Sequence, residues 1–216
     1  MALIGKGAAL GKLDRFDEEI AAYEDLARRF GSSSAPVLCK QVAKAIVSKG
    51  IRLMQLARNK KAAETFEDVQ KRFEGATDSG VAAQVAIAMV NRGVVLDRLN
   101  LLQDAIHVYD EVASRFGNST DPALREHVAL SLLNKGDILG KQDQNTEAVA
   151  AYDQAISLFK EDTDLPVRRQ VASALMNKGI SLGLLARAED EILAYDEMVN
   201  RYGTDSDAML RKKVAG

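Results

Sequence analysis

The string LLNKG at residues 132–136 returns as LMNKG at residues 175–179, 43 residues later. Its glycine exposes a period. Gly7, Gly50, Gly93, Gly136 and Gly179 are each 43 residues apart, and the residue before each is basic: Lys6, Lys49, Arg92, Lys135 and Lys178. Sixteen positions after the glycine stands an aromatic (Tyr23, Phe66, Tyr109, Tyr152, Tyr195), and seven further on another (Phe30, Phe73, Phe116, Phe159, Tyr202). Leu10, Leu53, Leu96, Leu139 and Leu182 are identical in all five copies; so are Val42, Val85, Val128, Val171 and Val214, each followed by alanine. Five copies in register without a gap identify a repeat array.

Each copy reads as two helices. The first runs from about Leu38 to Leu56 in one copy and begins after a polar segment such as GNSTDP (117–122). Asp121 can cap such a helix, and Pro122 suits its first position, where an N–H would lack a partner anyway. One apolar stripe holds Leu124, Val128, Leu132 and Leu139; a second holds Ala129, Leu133, Gly136 and Gly140. Two stripes predict a helix covered on two sides. The second helix, about Thr146 to Phe159, has a single face of Val149, Tyr152, Ile156 and Phe159. A short polar connection, KQDQN at 141–145, favours antiparallel packing of the pair. One hairpin alone cannot bury its apolar faces, but stacked neighbours can.

Composition narrows the function classes. The 216 residues are 47% hydrophobic with a net charge of −2, so no basic excess suggests nucleic-acid binding. Cys39 is the single cysteine, which rules out an internal disulfide framework. No apolar run is expected to reach the ~18–20 residues of a membrane span, and the interrupted start MALIGKGAALGKL does not read as a signal peptide. The expectation is a soluble, cytoplasmic protein that binds neither nucleic acid nor membrane.

A hairpin with this glycine–aromatic spacing resembles the tetratricopeptide repeat (TPR). The resemblance rests on Gly136, Leu139, Ala148, Tyr152 and Ala155 in the fourth copy, and on Gly93, Leu96, Ala105, Tyr109 and Val112 in the third. Three departures stand out. The period is 43 rather than 34, which lengthens the first helix at its N-terminal part. Ile46, Met89, Leu132 and Leu175 replace the usual early aromatic, and Glu19 and Glu191 replace the small residue that opens the second helix. The resemblance implies an all-α, right-handed α-solenoid of antiparallel hairpins. About five TPR-like repeats would form one array over residues 1–216, with units starting near 1, 44, 87, 130 and 173. It also implies a non-enzymatic interaction scaffold with a concave peptide- or protein-binding face.

The remaining constellations are weighed against plainer readings. The basic ladder pairs with the acidic ladder Glu24, Glu67, Asp110, Asp153 and Asp196 or is solvated; exposed pairs contribute little. The glycine ladder lies within helices, where each glycine costs roughly 1 kcal/mol relative to alanine, so it marks close helix approach and not a phosphate loop. His107 and His127 belong to no metal-binding or catalytic pattern, so no cofactor is expected. Cys39 is a candidate reactive thiol without an identifiable base; its equivalents are Ala82, Arg125, Arg168 and Arg211. The family's carboxylate clamp is missing: its lysine position holds Ile4, Val47, Val90, Leu133 and Met176, and its asparagine position Ala8, Ile51, Val94, Asp137 and Ile180. The concave-face candidates for partner binding are Met54, Gln55, Asn91, Asp97, Arg98, Asn134, Asp137, Lys141, Asn177 and Leu184. Lys12 shares the varying position of Gln55, Arg98, Lys141 and Leu184.

Both ends fall within a first helix: Met1 aligns with residue 44, and Gly216 with Met1, so the favoured expectation is a fragment cut from a longer array. The alternative function is a structural module that stacks head to tail through these split helices, by a heterologous contact that does not close.

Overall fold

The computed structural model describes residues 2–215, so the alignment of Met1 with Gly216 lies outside the described residues. Among the described residues there are eleven α-helices and no strand. The first helices are α1 (Ala2–Lys12), α3 (Pro36–Gln55), α5 (Ser79–Arg98), α7 (Pro122–Lys141), α9 (Leu165–Leu184) and α11 (Ala208–Ala215). The second helices are α2 (Phe16–Phe30), α4 (Asn59–Arg72), α6 (Leu102–Phe116), α8 (Asn145–Leu158) and α10 (Ala188–Tyr202).

Local sequence explains the starts and stops. Asp121 takes an extended conformation, and its carboxylate accepts from the Ala123 N–H at 2.9 Å, with Pro122 following as expected. Asp78 caps α5 through the Val81 N–H at 2.9 Å. Each first helix that leads into a second one ends in the same turn. Asp14, Ala57, Asn100, Asp143 and Ala186 stand one period apart with φ between 56° and 60°. The next residue then donates its N–H back to the carbonyl of the identical leucine: Arg15 to Leu10, Arg58 to Leu53, Leu101 to Leu96, Gln144 to Leu139 and Arg187 to Leu182, at 2.9–3.0 Å. This is the 6→1 closure of a helix end with one left-handed residue.

The chain divides into two compact units, Met1–Val108 and Tyr109–Gly216. In the first, α1 packs on α2, α2 on α3, α3 on α4 and α4 on α5, and the first helices α3 and α5 also meet. In the second, α7 packs on α8, α8 on α9 and α9 on α10; α7 meets α9, and α11 rests on both α9 and α10. Helices α3 and α9 thus each lie between their own second helix, the preceding one and another first helix, which accounts for two apolar stripes. On α7, Val128, Ala129 and Leu132 are fully buried, and Leu124, Leu133 and Leu139 nearly so.

Helix α5 corrects one expectation. Its 20 residues have a mean hydropathy of 1.4 over the apolar window, long and apolar enough by composition to cross a membrane. The apolar surplus has a packing origin: 56% of that window is buried, and α5 lies against α3 and α4.

The glycine ladder has a geometric cause. A Cβ built at Gly50 would lie 2.5 Å from Phe66 Cε1, and one at Gly136 would collide with the Tyr152 ring. Phe66 is fully buried and Tyr152 only 3% exposed. The glycine therefore lets the second helix seat its aromatic directly on the first-helix backbone.

Candidate functional site

The polar side chains of the repeated string link adjacent repeats. Lys49 pairs with Glu24 at 2.8 Å, Arg92 with Glu67 at 3.6 Å, Lys135 with Asp110 at 2.5 Å, and Lys178 with Asp153 at 2.6 Å. Each pair joins a first helix to the second helix of the repeat before it. The cations are 21–25% exposed and their carboxylates 35–54%, so each pair contributes little on its own.

The asparagines of the string follow the same logic. Asn134 Nδ2 donates to the Tyr109 hydroxyl at 3.4 Å. Asn177 Nδ2 donates to Asp137 Oδ1 at 2.7 Å, and the Tyr152 hydroxyl donates to the same oxygen at 2.8 Å. Asn91 lies one repeat after Phe66, which has no hydroxyl, and instead donates to the Ile87 carbonyl of its own helix at 2.8 Å. Burial, followed by the adjacent Asp137 carboxylate, pushes the Tyr152 phenol well above its usual range, so it remains a donor. This Tyr–Asn relation was not foreseen. Its only sequence signal is an asparagine 25 residues after a tyrosine.

The other candidates sort by unit. In the first, Met54, Asn91 and Asp97 are half-buried, and Gln55 and Arg98 are exposed. Arg98 Nη1 reaches the Met54 carbonyl at 3.5 Å, bringing two of them together. In the second unit, Asn134, Asp137 and Asn177 are half-buried; Lys141 and Leu184 are exposed, Leu184 by 67%. At the clamp-lysine position Val47, Val90 and Leu133 are buried, and Ile4 and Met176 are half-buried.

Cys39 is half-buried, and its thiol donates to the Ser33 carbonyl at 3.2 Å. Its equivalents Arg125 and Arg168 pair with Asp162 (2.9 Å) and Asp205 in the following inter-repeat segments. Among the described residues, no group of three or more histidine, cysteine or acidic side chains could hold a metal ion.

His107 is exposed. His127 is half-buried and its Nδ1 has no hydrogen-bond partner. Burial holds its pKa below the usual imidazole range, with Glu126 partly opposing. The unfolded chain therefore takes up a proton near pH ~6.5 before the folded one does. Stability from this site is complete above that pH and is lost as pH falls through the lowered folded value. In urea unfolding at pH 7.5 and pH 5.5, His127→Gln should shrink the acid-side loss; an equal loss in both proteins would exclude His127 as its source. Glutamine already occupies the position as Gln41, Gln84 and Gln170.

Residues 47–120 match one family model described as tetratricopeptide repeat and residues 129–162 match another, together half of the chain. No curated protein matches. Among solved structures, the chain is similar to the MamA RS-1 ArsTM double mutant at 15% identity and TM-score 0.61, covering 95% of this chain and 96% of that one. It is similar to the apo form of the quorum sensor NprR from B. thuringiensis at 14% identity and TM-score 0.63, covering 99% of this chain but 56% of that one. An engineered protein gives 16% identity and TM-score 0.55, with 100% and 94% covered.

Proposed function

Because the chain belongs to the tetratricopeptide repeat family, we propose that it is a non-enzymatic scaffold, engaging a partner protein or peptide along a concave face lined by its first helices. One observation carries this reading. Leu10, Leu53, Leu96, Leu139 and Leu182, identical in every repeat, are buried, whereas Gln55, Arg98, Lys141 and Leu184, which occupy one varying position, are all exposed. A position that faces outward and varies from repeat to repeat is free to specify a ligand. The absence of lysine and asparagine from the clamp positions argues against recognition of a terminal carboxylate. Arg98→Glu with Lys141→Glu should weaken binding of a protein cross-linked to this face at least about tenfold while helicity stays constant. Unchanged binding would mean that the partner uses another surface.

A further inference from the structure

On the scaffold reading, on which this depends, we infer that Asp137 and Asn134, one turn apart on α7, receive the ammonium group of a single lysine side chain in the partner segment.

Asp137 is out of type for its place. The same repeat position holds Ile51 and Val94, both half-buried, and Asp137 is half-buried as well. A carboxylate partly withdrawn from water needs compensation. It receives only neutral hydrogen bonds, and both fall on one oxygen. Oδ1 accepts from the Tyr152 hydroxyl at 2.8 Å and from Asn177 Nδ2 at 2.7 Å. Lys135 on the same helix and Lys178 beside Asn177 are committed to Asp110 and Asp153. Among the described residues no lysine or arginine pairs with Asp137, and Oδ2 has no donor. Donors from α8 and α9 thus fix the direction of the carboxylate and leave one charged oxygen open.

Asn134 adds a second acceptor. Its Nδ2 is spent on the Tyr109 hydroxyl, so the amide oxygen is the group left over. Three residues apart on a helix, Asn134 and Asp137 share a face, with Cβ atoms about 5–6 Å apart. Two acceptors, one of them charged, select a cation, and the pattern of filled positions selects which one. An arginine fork bonds both carboxylate oxygens in parallel, but the two acceptor positions of Oδ1 are already taken. An ammonium is a point charge with three donors, and it needs only Oδ2 and the neighbouring amide oxygen. Lys141, one turn further along α7, is exposed and repels a second cation there. The fit is therefore to one lysine and not to a basic run.

Panning the immobilised chain against four octapeptide pools tests this, each pool random except for a fixed fourth residue of lysine, arginine, glutamine or glutamate. The lysine pool should be retained about tenfold over the glutamine pool and should also exceed the arginine pool. Raising salt from about 0.05 to about 0.5 M should shrink that preference. Asp137→Asn keeps an oxygen for Tyr152 and Asn177 but removes the charge. With unchanged circular dichroism, it should lose the tenfold preference. Equal retention of all pools, an arginine pool that exceeds the lysine pool, or a lysine preference that survives Asp137→Asn or high salt overturns the lysine site and leaves the scaffold reading in place. Retention of no pool overturns the scaffold reading for peptide segments and the lysine site with it.

Discussion

Replacing Phe66 with alanine is expected to remove about 3–5 kcal/mol of stability from the first unit, read as a large drop in its urea midpoint by helix circular dichroism. The ring is fully buried, and its edge rests against the Gly50 backbone. Truncation forfeits the transfer energy of the ring and leaves a cavity. The site collapses poorly because Gly50 has no side chain to lean into the space. The opposite change tests the same contact. Gly50→Ala gains about 1 kcal/mol in helix propensity but sets a methyl 2.5 Å from Phe66 Cε1. Overpacking of that kind costs about 1–3 kcal/mol, so the single variant should lose stability despite the better helix former. In the double variant the methyl enters the vacated space, and the propensity gain is realised. The pair should therefore be more stable than the sum of the single effects by about 2 kcal/mol. Strict additivity would show that the glycine is not there to seat the ring.

Gly50 and Phe66 were readable in sequence because both recur at a fixed offset, and a glycine inside a helix has no reason to recur unless something packs on it. The paired ladders were readable for the same reason. Other features carry no such mark. Ala57 and Ala186 adopt φ of 56° and 57°, at about 1–2 kcal/mol each. Alanine gives no hint of a left-handed turn, and the closure onto Leu53 and Leu182 imposes it. Asn134 looked like a binding residue, because an asparagine on a first helix is equally suited to a ligand and to a tyrosine hydroxyl in the neighbouring repeat. Helix α5 passes for a membrane span in composition because burial on two sides removes the polar face that normally marks a soluble helix.

Glu19 is the plainest case of a residue whose position contradicts its type, and it gives the second large effect. Copies two to four place Ala62, Ala105 and Ala148 there, and a carboxylate beginning a second helix reads as solvated. It is instead 5% exposed. Arg52 Nε donates to its Oε2 at 2.5 Å, and the Tyr23 hydroxyl donates to Oε1 at 3.3 Å. The guanidinium also lies 4.4 Å from the Phe16 ring centroid, a stacking that lysine could not reproduce. Gly11 leaves the space that the carboxylate occupies; a Cβ there would be 2.7 Å from Oε2. Arg52→Met keeps the apolar stem but strands the buried carboxylate with a single neutral donor. Removing one member of such a pair costs about 3–5 kcal/mol, and urea unfolding should show it. The carboxylate itself is not required for the fold. Glu19→Ala with Arg52→Val recreates the Ala62 and Val95 combination found one repeat later. Exchanging a buried ion pair for packed apolar groups is typically neutral or stabilising, so the double variant should recover the original stability or exceed it. If it stays as unstable as Arg52→Met, the loss came from the guanidinium's contact with the Phe16 ring and not from an uncompensated charge.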